Sequence, residues 1–132
     1  MAQEFRLDHI SLHVRDLAAS ARFYGEVLGL TEIPNGAGHA HVRWFGVDSG
    51  HSIHLISGAP EQRAARPIAE HYALGSHDFE NRLKSLNAAG IAYGDYAGRK
   101  GHIGLRADGV RSVYLQDPDD HWIEILDAKT PA

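Results

Sequence analysis

The feature that most constrains this chain is an internal repeat. Residues 5–57 and 70–127 run through the same order of patterns: a short alternating strand, a helix closed by glycine, then three strands. In the first half, Leu7–Val14 alternates Ile10, Leu12 and Val14 with His9, Ser11 and His13, the period of two that a half-buried strand requires. Asp16 stands where a helix cap belongs, ahead of a stripe of Leu17, Ala21, Tyr24 and Leu28, and Gly29 follows at the stop. His39–Phe45 and Ser52–Ser57 read as a hairpin turning near Asp48–Gly50. In the second half, His71–Gly75 is the opening strand. Asp78–Ala89 is a helix with Phe79, Leu83 and Leu86 inward, and Gly90 stops it. After a glycine-rich loop at 94–101, His102–Arg106 and Ser112–Gln116 form a hairpin across Asp108–Gly109. Asp117–His121 then turns the chain into a last strand, Trp122–Leu126. His9 precedes Gly29 by twenty residues, and His71 precedes Gly90 by nineteen. One βαβββ unit of about 55 residues leaves a sheet face poorly covered, whereas two can bury it. The expected class is therefore α+β, built from two βαβββ modules joined by a linker at 58–68.

Bulk properties narrow what such a fold does. A length of 132 residues suits one compact domain, and 43% apolar residues can fill its core. Thirteen basic against seventeen acidic residues, a formal charge of −4, give no electrostatic footprint for nucleic acid or an anionic membrane. The longest apolar runs are too short to span a bilayer. The start, MAQEFRLDH, lacks a basic-then-apolar leader, and the absence of cysteine excludes disulfides, thiolate metal sites and cysteine nucleophiles. The expected location is cytoplasmic.

Ten histidines are the excess in this composition. Two of them, with one more and a glutamate, fall at matched places in the repeat. His9 and His71 sit in the opening strands, and His54 and Glu124 in the closing ones. Alternation puts all four on the less apolar face, because Ile10, Ile53, Leu55, Tyr72, Leu74, Ile123 and Ile125 point the other way. A single strand histidine is ordinarily a core or surface residue; the fourfold placement is what points to a metal site. Three imidazoles and a carboxylate suit one divalent ion such as Zn, Ni, Fe, Co or Mn. No compact motif of the HExxH kind accompanies them.

The segments DHISLHVRDLAASARFYGEVLGL, SIHLI, HYALGS and VYLQDPDDHWIEIL resemble the vicinal oxygen chelate superfamily, which includes glyoxalase I, fosfomycin and bleomycin resistance proteins, methylmalonyl-CoA epimerase and extradiol dioxygenases. The resemblance spans about residues 7–127. It implies a single glyoxalase-like domain over 1–132, with the paired modules forming a cupped mixed sheet. It also implies a homodimer, commonly with each metal site completed by both chains. The family ligands fall on His9, His71 and Glu124, with a fourth at His54, where glyoxalase I carries an acid.

The chemistry this resemblance implies is bidentate chelation of neighbouring oxygens on a small-molecule substrate. The leading expectation is a glyoxalase-like lyase or isomerase, with Glu124 as base and His54 as ligand or proton shuttle. An extradiol-type dioxygenase is the alternative, using His9, His71 and Glu124 as an iron triad; a fourth ligand at His54 would block a position it needs. A fosfomycin-type thiol transferase would draw on Arg99 and Lys100 in GRKG for its cationic pocket. A bleomycin-resistance-type binding protein would need no metal residues. Ser11, His13 and Tyr114 share the cavity-facing parity and are candidate substrate contacts, Arg43 and Arg111 candidate anion contacts, and Trp44 and Trp122 packing or pocket wall. His121 and the Asp117–Pro118–Asp119 run read as turn residues.

Overall fold

A computed structural model describes residues 3–128 of the chain. The chain is α+β and divides into two compact units, Met1–Arg63 and Ala64–Ala132. Each unit carries one four-stranded mixed sheet.

In the N-terminal unit, β1 (His9–Val14) leads to α1 (Leu17–Arg22), and β2 (Thr31–Ile33), β3 (Val42–Asp48) and β4 (His51–Ser57) follow, in sheet order β1-β4-β3-β2. The first strand thus lies beside the last, parallel to it, with His9 opposite Ser52 and Ser11 opposite His54. Strands β2, β3 and β4 are antiparallel neighbours. Asp16 caps α1 by accepting from Ala19 N at 3.1 Å, a contact worth about 1 kcal/mol. The stripe predicted to run unbroken to Leu28 changes pitch at Phe23–Val27, which is a π-helical turn. Phe23 is buried along with Tyr24 and Leu28, so three side chains rather than two fill this stretch of the core. Gly29 then takes φ 73°, the left-handed stop. Phe45, Ile53, Leu55 and Val14 form the buried face beneath them.

The C-terminal unit repeats the plan. β5 (His71–Ser76), α2 (Phe79–Ala88), β6 (Gly104–Leu105), β7 (Arg111–Gln116) and β8 (Trp122–Asp127) assemble in order β5-β8-β7-β6. Again first and last strands are parallel neighbours, with His71 opposite Trp122 and Ala73 opposite Glu124. Asp78 caps α2 through Asn81 N, and Gly90 closes it at φ 72°. Phe79, Leu83 and Leu86 are buried, as are Val113, Leu115, Ile123 and Ile125 of the sheet.

The observed strands differ from the expected ones mainly at their ends. β1 starts at His9 rather than Leu7, because Leu7 is exposed and makes no ladder. β3 starts at Val42, leaving His39 and His41 in the preceding loop, and continues to Asp48. The first of the three strands expected after the first helix, for which the sequence offers no bounds, is the three-residue β2. Among the described residues, no helix is long and apolar enough to cross a membrane.

Candidate functional site

In the N-terminal unit the polar face of the sheet carries a stack of three rings. Trp44 and His54 are cross-strand partners, and their rings lie parallel at 3.9 Å. His9 stacks on the same His54 at 4.0 Å. His54 is therefore sandwiched, only 8% exposed, and its Nε2 lies 2.9 Å from the Ser52 hydroxyl. Burial, with the neighbouring His9 second, pushes its imidazole below the ordinary histidine range, so it is held neutral. His9 is more open. Its Nδ1 meets the Asp8 carboxylate at 2.9 Å, which leaves Nε2 as the ring's lone-pair atom when the imidazole is neutral. Ser11 and His13 continue the same exposed face of β1.

In the C-terminal unit the matched positions hold a second cluster. His71 Nδ1 donates to the Ile68 carbonyl at 2.8 Å, so Nε2 carries the lone pair. That nitrogen faces Glu124 Oε1 at 3.4 Å. Two electron-rich atoms aimed at each other favour a cation between them, so this donor pair fits a metal ion. Tyr114, opposite Glu124 in the ladder, hydrogen-bonds its carboxylate and meets His71 edge-on at 5.1 Å. Burial first, and then the hydrogen bond to Glu124, push the Tyr114 phenol up to about 12. Beside it opens a cavity of about 450 Å³ whose lining includes Tyr93, Lys100, Tyr114, Gln116 and Trp122.

The predicted residues thus come together as two pairs, His9 with His54 and His71 with Glu124. Among the described residues, no group of three or more His, Asp or Glu donors is gathered as a metal site would gather them. The candidate anion contacts are engaged elsewhere. Arg43 grips Glu32 with two bonds of 2.8 and 2.7 Å, and Arg111 bridges Glu80 and Asp127. Arg99 is tied to the buried Asp95 at 2.7 Å. His121 bonds Asp117 at 2.8 Å, and Asp117 also accepts from the backbone of Asp119 and His121, as a turn requires. Asp8 and Ser52 are not among the residues expected from the sequence, and Trp44 is expected there as packing or pocket wall. The adjacency Asp8–His9 and the repeat-equivalence of Trp44 and Tyr114 were the available signals.

Tyr114 gives a direct check on this geometry. Ultraviolet titration is expected to show the Tyr114 phenol ionising near 12, against about 10 for a solvated tyrosine, and Tyr114→Phe should remove one phenol from the late part of the curve. The folded value is raised, so the stability it contributes is full below about pH 10 and lost as pH rises through about 12.

This chain belongs to the Glyoxalase/Bleomycin resistance protein/Dioxygenase superfamily, whose pattern matches residues 6–125. It is similar to the solved structure of Oxidase ChaP-H2, with TM-score 0.74 and 30% identity over 98% of this chain and 96% of that one. Oxidase ChaP-H1 is 32% identical, with TM-score 0.73, over 96% of this chain and 97% of that one. The uncharacterized protein YwbC of Bacillus subtilis (strain 168) is 30% identical over 92% of this chain and 96% of its own length.

Proposed function

We propose that the chain is a metal-dependent oxidase or dioxygenase acting on a small molecule with two neighbouring oxygens. His9, His71 and Glu124 are the proposed ligands, a two-histidine, one-carboxylate set. The observation that carries this reading is the state of His54. Its ring is packed on both faces by Trp44 and His9, and its Nε2 is engaged by Ser52. In this reading such a histidine is a wall that positions His9 and not a fourth ligand, which leaves free the position the dioxygenase needs. The likeness to two proteins named as oxidases supports the same choice. Iron(II), if held by these residues, would supply dioxygen chemistry.

The chain's own groups have definite parts in this scheme. Tyr114 keeps its proton through neutral pH and donates it in a hydrogen bond to Glu124, which holds that carboxylate in place as an acceptor. The rings of Tyr93, Tyr114 and Trp122 give the cavity aromatic walls that suit a flat substrate, and Lys100 adds a cation for an ionised oxygen. Ser11 and His13 remain substrate-contact candidates on the open face of β1.

The lyase or isomerase, the leading expectation from the sequence, becomes the second reading, favoured by the pairing of Glu124 with the Tyr114 phenol. In that scheme Glu124 removes a proton beside a carbonyl. Oxygen uptake decides between them. Protein reconstituted anaerobically with Fe(II) is expected to consume dioxygen with a catechol panel, and the Zn(II) form is not. Turnover of 2-oxoaldehyde conjugates without oxygen, equally well with Zn(II), would overturn the oxidase reading in favour of the lyase.

A further inference from the structure

The two repeat-equivalent histidines are oriented by different kinds of acceptor. His71 follows a turn, and the backbone carbonyl of Ile68 comes back to receive its Nδ1 proton at 2.8 Å. No turn or bend forms over residues 5–8 ahead of His9. The Asp8 side chain takes that place, with Oδ2 at 2.9 Å from Nδ1. Asp8 is itself held from behind. Its other oxygen accepts from Arg6 at 3.1 Å, and the same guanidinium donates to the Gly50 carbonyl at 2.9 Å, on the turn between β3 and β4. The guanidinium sits close over this turn, 3.3 Å from where a Cβ on Gly50 would stand. One face of the His9 ring lies on the buried His54 ring.

We infer that Asp8, clamped by Arg6 against Gly50, is a positioning residue that fixes the tautomer and rotation of His9 and presents its Nε2 as a ligand atom. The inference rests on the ligand assignment proposed above. A carboxylate behind an imidazole makes it a stronger donor than a carbonyl does, so the two histidines are unequal ligands. Asp8 is two-thirds exposed, and an exposed ion pair of this kind contributes little to folding. Its consequence lies in orientation.

The test uses ¹⁵N-labelled full-length chain, first without metal and then titrated with Co(II). In the unaltered protein His9 is expected as the Nδ1–H tautomer. Asp8→Asn should shift it toward the Nε2–H form and weaken Co(II) binding on the order of 10-fold, with an unchanged melting temperature. Asp8→Glu should restore part of both effects, and Arg6→Ala should give a smaller loss. Asp108→Asn, at an exposed turn acid, should change neither. An unchanged His9 tautomer in Asp8→Asn overturns the inference. Failure of the unaltered chain to bind Co(II) overturns the metal reading alone, because the tautomer comparison still decides the role of Asp8.

Discussion

Glu124→Ala is expected to lose metal almost completely, falling by more than the roughly 10–100-fold that follows loss of an outer partner. Glu124 is 7% exposed and has His71 Nε2 at 3.4 Å and the Tyr114 phenol as its neighbours, so the substitution removes the proposed anionic ligand and leaves a gap between the His71 lone pair and the Tyr114 hydroxyl. His121→Ala is the matched control, since that ring serves the Asp117 turn. The measurement is metal content per chain after dialysis. Equal content in both variants would sink the ligand assignment. The same variant also tests the proposed dimer. The N-terminal unit offers one proposed ligand, His9, and the C-terminal unit two, His71 and Glu124, and we propose that the set is completed between two chains. If so, dissociating and remixing His9→Ala with Glu124→Ala should regain about one quarter of the sites, because half the dimers become mixed and each mixed dimer has one intact site of two. No regain would place the ligands within one chain or show that subunits do not exchange; a disulfide-free size-exclusion assay with labelled chains separates these.

The largest stability effect is expected at Phe45. Its ring is 2% exposed, paired with Ile53 across the ladder, and packed so closely on the π-helical turn that a Cβ on Gly25 would stand 3.3 Å from it. Phe45→Ala should cost about 3–5 kcal/mol. That is a large part of the roughly 5–15 kcal/mol that holds a domain of this size folded. Denaturant titration reads it as a lowered midpoint, with Phe45→Leu falling between. A midpoint within error of the unaltered chain would mean that this core is not packed as described.

Much of this was legible in the residues because strands and caps announce themselves locally. The alternation around His9, His54, His71 and Glu124 identified the shared face in each unit, and Asp16, Gly29, Asp78 and Gly90 bounded both helices. Where the sequence misled, the deciding contacts were distant. Thr31–Ile33 is a strand only because β3 pairs with it, and three residues carry no period of their own. The change of pitch at Phe23–Val27 leaves no mark in composition, since Phe23 enters the core only once the turn widens. Arg43 and Arg111 looked available for anions because their acids stand eleven to thirty-one residues away in the chain. The pairing of His54 with Trp44 needed the register of β3 against β4, which alternation alone does not supply.

The sheet order has a consequence for how the chain is made. In each unit the strand synthesised first is joined by the strand synthesised last: β1 receives its neighbour only when Ser52–Ser57 has emerged, and β5 only when Trp122–Asp127 has. Until then an alternating edge with open backbone groups sits on a ribosome-bound chain, with a long loop still to be closed. The helix that follows each opening strand is the local structure able to form meanwhile. Domains generally fold as units, N-terminal first, during synthesis, and folding the first unit in this way would close its sheet before the edge of the second appears.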